Sequence, residues 1–165
     1  MSEEKPKPEY ELFDSKAGWH QAVDRLLEKE GRELRIFDPD LTSLRLNSPE
    51  RIGLLEKFLQ ASRTRRVFLA THDSEHLTRH CPRMMGLLAR YTHAIQINRT
   101  HEEIKCIQDS FLVLDTRHYV RRPVAAHFRG GSGLDDEAEA LAMRSRFLEI
   151  WAASFPAVSS TTAGL

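Results

Sequence analysis

The sequence predicts an α/β fold, a mixed and mostly parallel sheet with helices on both faces. Three observations carry this. Short apolar runs of strand length, Leu34–Phe37, Val67–Ala70 and Ala94–Ile97, alternate with longer stretches in which apolar residues recur at helical spacing. Val67-Phe68-Leu69-Ala70 is nearly continuous in apolar character, as a parallel strand covered on both faces is. Ile107 to Asp115 followed by Thr116 to Val120 reads as a buried strand, a polar turn and a returning strand.

Taken in order, residues 1–9 are polar with two prolines and are expected to be a mobile tail. Tyr10–Phe13 is a short strand, and Asp14 or Ser15 caps a helix whose apolar stripe is Trp19, Ala22, Val23, Leu26 and Leu27. Gly31 is expected at its C′ position. Asp38-Pro39-Asp40-Leu41 is a turn, and Ser48-Pro49 starts a helix carrying Ile52, Leu55, Phe58 and Leu59. After Val67–Ala70 comes a loop at Thr71–Ser74, then one or two helices, with Pro82 opening the second and Met84, Leu87, Leu88 and Tyr91 as its stripe. Asn98–Glu103 reads as a loop, and residues 124–133, with Gly130-Gly131-Ser132-Gly133, as an irregular, flexible connection. Asp135-Asp136-Glu137 places acidic charge at the start of a last helix that Pro156 stops. One domain is expected over residues 10–156, with 157–165 a second tail.

Composition excludes several classes. Lys plus Arg and Asp plus Glu both number 24, so the basic excess typical of a nucleic-acid protein is absent globally. Cys81 and Cys106 are too few for a disulfide framework and suit a cytoplasmic protein with free thiols. There is no apolar run long enough to span a bilayer and no signal-peptide pattern at the start.

The succession from Tyr10 to Phe155 resembles one half of the phospholipase D-like fold. That superfamily carries H-x-K-x-x-x-x-D near the end of the half-domain, and the matching register here is Gln108, Ser110 and Asp115 around Phe111-Leu112-Val113-Leu114. Phe147-Leu148-Glu149-Ile150-Trp151 fits the closing helix. The resemblance implies an α/β sandwich, a covalent phosphohistidine chemistry, and a homodimer that joins two motifs in one cleft. It also resembles a poorly characterised bacterial subgroup with a degenerate motif, sometimes found beside an acetyltransferase domain of which nothing is visible here. The departures bear on function. Gln108 has no nucleophile, and Ser110 supplies no positive charge to a phosphoryl group. A non-catalytic binding or regulatory domain is therefore expected. The alternatives are a phosphoryl-transfer enzyme that uses His72, His101 or His118 instead, and a pure protein-interaction module.

The candidate anion site comprises Gln108, Ser110, Asp115, His72, Arg99, Arg117 and Arg121, for a phosphate-bearing ligand or nucleic acid, because guanidinium pairs with phosphate through two parallel hydrogen bonds. The bland alternative is a solvated hairpin whose arginines pair with Asp135, Asp136, Glu137 and Glu139. His72, His76 and His80 recur every fourth residue, a spacing imidazoles use for zinc; His72 follows a strand closely, so a polar helix face is the preferred reading. No metal and no cofactor are expected.

Overall fold

The computed structural model describes residues 5–159. The chain runs β1 (Glu9–Phe13), α1 (Lys16–Leu27), β2 (Glu33–Phe37), α2 (Pro49–Gln60), β3 (Arg66–Thr71), α3 (Glu75–His80), α4 (Pro82–Arg90), β4 (Ile95–Thr100), β5 (Ser110–Leu114), β6 (His118–Arg122), β7 (Gly130–Leu134), α5 (Glu137–Ala152) and β8 (Ser154–Val158), with a 3₁₀ turn at Glu102–Ile104. The helix starts follow local chemistry. Ser15 Oγ accepts from Gly18 N at 3.0 Å, and Ser48 Oγ accepts from Arg51 N with Pro49 at the first turn of α2.

All eight strands form one sheet in the order β1-β7-β6-β5-β2-β3-β4-β8. Alternation of side chains divides the interior into two layers. Leu34, Ile36, Val67, Leu69, Ile95, Ile97, Leu112 and Val120 pack under α1–α4 with Trp19, Leu26, Leu55, Phe58 and Leu87. Phe37, Ala70, Phe111 and Val113 point the other way, onto Ala140, Met143, Phe147 and Ile150 of α5. Helices thus cover both faces, as the sequence predicts.

Four expectations need correction. The sheet is mixed, but only β2-β3 and β3-β4 are parallel; the other pairings among the described residues are antiparallel, because the chain leaves the parallel core by a hairpin. Gly130–Leu134 is not a flexible linker but strand β7, held on one side by β1 and on the other by β6. Glycine suits this place because a Cβ on Gly130 would collide with the Arg121 carbonyl and one on Gly133 with the Tyr119 ring. Gly31 is not a helix C′ residue: α1 ends at Leu27 with Glu28 as its cap. It is needed instead where the chain passes against Leu114 and Asp115.

The fourth concerns β4 and the end of the chain. β4 continues through Thr100 rather than yielding to a loop at Asn98. The last helix already ends at Ala152 with Ala153 as its cap, and Pro156 lies within β8, the outermost strand beyond β4, so Ala157 and Val158 belong to the sheet rather than to a tail. Of the two expected tails, residues 1–4 and 160–165 lie outside the described residues.

Candidate functional site

The carboxyl ends of the parallel strands meet the start of β5 and the end of β6, because β5 runs antiparallel to β2. This edge is where ligands of open α/β sheets collect. On the side facing α1, a polar network fills it. Asp38, just after β2, accepts from Leu41 N at 2.8 Å and Asp40 N at 3.1 Å through Oδ1. Its Oδ2 receives Ser110 Oγ at 2.6 Å, Ser43 Oγ at 3.3 Å and the Arg122 guanidinium at 3.1 Å. Arg122 also donates to Ala125 O at 3.0 Å and to Ser43 Oγ. Its plane lies between two rings, 4.4 Å from the Trp19 centroid and 4.9 Å from that of Phe128. Arg122 and Asp38 are both about 1% exposed, so this is a fully buried ion pair.

The α5 side of the same edge is more open. Asp109 is buried and held by two guanidinium groups, Arg146 at 2.9 Å through two bonds and Arg121 at 3.4 Å through two. The carboxylate holds the Arg146 pKa above its ordinary value, chiefly through these hydrogen bonds. Beside it, a cleft of about 760 Å³ runs over Leu12, Tyr119, Arg121, Gly130 and Gly131, with Glu139 on its rim. A second depression of about 440 Å³ adjoins it and shares Asp14, Pro123, Arg129 and Gly130. The glycines of β7 form its floor, which leaves backbone where side chains would otherwise stand.

The residues singled out from the sequence do not gather in one pocket. Ser110 is buried in the Asp38 network. Gln108 precedes β5, is exposed, and donates to Lys105 O at 2.8 Å. Asp115 lies at the other end of β5, where its carboxylate accepts from Arg32 N and Glu33 N at 2.9–3.2 Å. Its φ of 53° is one that Asp tolerates in a tight turn. Arg117, at that same turn, pairs with Asp135 at 2.8 Å. Arg99 lies 5.3 Å over the Phe155 ring. Only Arg121 lines the cleft.

His72 is buried and both ring nitrogens are occupied. Nε2 lies 2.6 Å from Ile107 O, which can only accept, so that nitrogen carries the proton; Nδ1 lies 2.5 Å from Thr100 Oγ1. This removes His72 from the spaced trio, in which only His76 and His80 remain side by side, their centroids 5.6 Å apart. His118 Nδ1 accepts from Asp135 N at 3.0 Å, and burial pushes its pKa down. His101 is exposed and packs on Phe155 at 5.1 Å.

Asp38 is readable from the sequence as the carboxyl end of a strand, where ligands of such sheets gather, but its partners are not, and Ser43 and Arg146 were not visible as site residues. Their contacts span 72 residues between Ser110 and Asp38 and 37 between Arg146 and Asp109. Arg122 stands among the arginines of the hairpin. Its one readable signal is strand parity, which puts it on the opposite face from Arg121.

This architecture is the phospholipase D-like fold. Similar solved structures include the phospholipase D family member Nuc from Salmonella typhimurium, at 12% identity and a TM-score of 0.66, covering 93% of this chain and 100% of that one. NucT from Helicobacter pylori aligns at 12% identity and TM-score 0.63 over 92% and 100% of the two chains. TrmBL2, an archaeal chromatin protein with a novel mode of DNA binding, aligns at 12% identity and TM-score 0.63, over 90% of this chain and 54% of its own. No curated protein matches the chain in sequence. Within that fold the chain belongs to the family described as a domain of unknown function, DUF7931, which it matches over residues 15–160.

Proposed function

We propose that the chain is a non-catalytic phospholipase D-like domain, with a binding or regulatory role toward a phosphate-bearing ligand. The observation that carries this is the sealed state of Ser110. Ser110 takes the place of the family's lysine, and its hydroxyl is bonded to a carboxylate that Arg122 already neutralises. The Arg122 charge is buried between two rings, and both ring nitrogens of His72, which contacts the Ile107 carbonyl just before β5, are occupied. A phosphoryl group finds neither a nucleophile nor an open electrostatic partner at that spot.

The cleft on the α5 side is the proposed seat for the ligand. Two arginines share Asp109, and Arg129 has no ionic partner among the described residues, so cationic donors are free at its mouth. TrmBL2 is a DNA-binding protein of similar fold, which makes a short oligonucleotide a sensible probe beside inorganic phosphate.

The test has two arms. Incubation with bis(p-nitrophenyl) phosphate and with a labelled oligonucleotide is expected to give no turnover. Turnover abolished by His72→Ala, His101→Ala or His118→Ala establishes the altered-nucleophile enzyme instead. Titration with phosphate and oligonucleotide, followed by thermal shift, is expected to show stabilisation that Arg121→Gln with Arg129→Gln lowers. No stabilisation by either probe refutes the binding role at this cleft.

A second reading, a protein-interaction module that includes self-association, has its own support. β1 is an edge strand, and its Leu12 and Tyr10 side chains are 88% and 66% exposed. We propose a homodimer on this ground and on that of the fold resemblance. Light scattering is expected to give twice the 19.0 kDa of the chain. A monomer at high concentration excludes it. Among the described residues no helix is long and apolar enough to cross a membrane, and a cytoplasmic location is the matching proposal, checked by fractionation.

A further inference from the structure

At the opposite, amino-terminal edge of the parallel strands, the loops from α2 to β3 and from α4 to β4 enclose a depression of about 510 Å³. Arg63, Arg65, Arg66, Arg90 and His93 line it, with Leu59, Tyr91 and Ala94 as apolar wall. This charge is concentrated in a chain whose formal net charge is zero.

The local acids do not cancel it. Glu56 pairs with Arg90 at 3.1 Å. Glu33 stands opposite Arg66 in the sheet, but its carboxylate binds Arg35. Arg63 makes no side-chain ion pair among the described residues, and the Arg65 guanidinium lies 5.0 Å over the Phe58 ring. The ordinary role for such arginines is to complement helix C-termini, and α2 and α4 both end here. Each helix end offers roughly half a negative charge. Together with Glu56 this leaves an excess of about two positive charges over the four arginines present.

The loop is also held in place before any ligand arrives. Arg66 Nη1 donates to the carbonyls of Arg63 and Arg65, both at 2.8 Å, and Arg65 N donates to Ser62 O at 3.3 Å. A fixed loop presents Arg63 and Arg65 without the full ordering cost that free surface arginines carry. The volume falls within the range of small-ligand sites.

We infer that this amino-edge pocket binds closely spaced phosphate groups, as found in a nucleoside triphosphate or along a nucleic-acid strand. It is separate from the α5-side cleft and does not depend on the reading of that cleft. Guanidinium forks match consecutive phosphates, and an excess of about two charges suits a ligand with at least that many.

The experiment uses the full chain, with tripolyphosphate, a nucleoside triphosphate and a labelled single-stranded oligonucleotide as probes, titrated at several salt concentrations. Arg63→Gln with Arg65→Gln is expected to weaken binding at least tenfold and to lower the slope of log affinity against log salt by about 1–2. The titrations are made in an Arg121→Gln, Arg129→Gln background, in which the α5-side cleft contributes no signal, and binding at the amino edge is expected to persist there. Binding by tripolyphosphate identifies a free oligophosphate; binding by the oligonucleotide alone identifies the backbone, and both support the site. No binding of any probe at low salt, or binding unchanged in the Arg63/Arg65 variant, overturns it. Both arginines project from a loop, so circular dichroism of the variant is expected to match the wild type.

Discussion

Arg122 shows how a single residue changes the meaning of a motif. Its strand partner across the β5–β6 ladder is Ser110, so it supplies charge beside the position where the family resemblance places a lysine. Burial converts that charge from a ligand-binding group into a clamp that joins β6, the Asp38 turn and α1. Removing one member of a buried pair leaves the other uncompensated, which costs about 3–5 kcal/mol. Arg122→Ala is therefore expected to lower unfolding stability by about that amount in urea denaturation. The double variant Asp38→Asn with Arg122→Met is expected to recover a large part, since Met fills the space between Trp19 and Phe128 while Asn retains an acceptor for Leu41 N. A loss from Arg122→Ala below about 1 kcal/mol shows that water enters and solvates Asp38 instead.

At the scale of elements, the glycines of β7 separate legible from illegible structure. A substitution at Gly130 drives a methyl group into the Arg121 carbonyl, where no side chain can swing aside. Gly130→Ala is expected to destabilise by about 1–3 kcal/mol, or more if β7 detaches. Gly53, exposed in α2, has nothing within 4 Å of an added Cβ. Gly53→Ala is expected to stabilise by about 0.5–1 kcal/mol through helix propensity. Thermal unfolding of the two variants checks both signs.

The same strand explains what the sequence could reveal. Local periodicity and capping located α1, α2, α4, α5 and the β5–β6 hairpin, because those signals sit within one turn or one strand. Gly130-Gly131-Ser132-Gly133 has no apolar alternation, and its strand form comes from neighbours far along the chain, Leu12 and Arg121. The site divided in the same way. Gln108, Ser110 and Asp115 were readable as a degenerate motif, but that Asp115 caps the start of β2 while Ser110 joins Asp38 follows from topology alone. The amino-edge arginines went unnoticed because Arg63–Arg66 and Arg90–His93 meet only when β3 and β4 pair in parallel.

For the molecule as a whole, the buried imidazoles set how stability responds to pH. His20 is enclosed beside Arg51 and Phe128, and burial, reinforced by Arg45 and Arg51, pushes its pKa from 6.5 down to about 4. Its Nε2 is buried without a partner. His118 is shifted in the same direction by burial. Above about pH 6.5 both imidazoles are neutral in folded and unfolded chains, so they impose no penalty. Between 6.5 and about 4 the unfolded chain takes up a proton that folded His20 refuses, so stability falls as pH falls through that window. At the alkaline end, burial and the nearby Asp136 raise the Tyr119 pKa from 10.0 to about 12. There the unfolded chain releases its proton first, and stability falls as pH rises above 10. These groups therefore give a plateau between about pH 6.5 and pH 10 that falls on either side. Urea midpoints measured from pH 8 to pH 4 are expected to decline below pH 6.5, and His20→Gln, which removes one titrating group, is expected to flatten that decline. An undiminished acid slope in His20→Gln transfers the effect to His118 and the carboxylates.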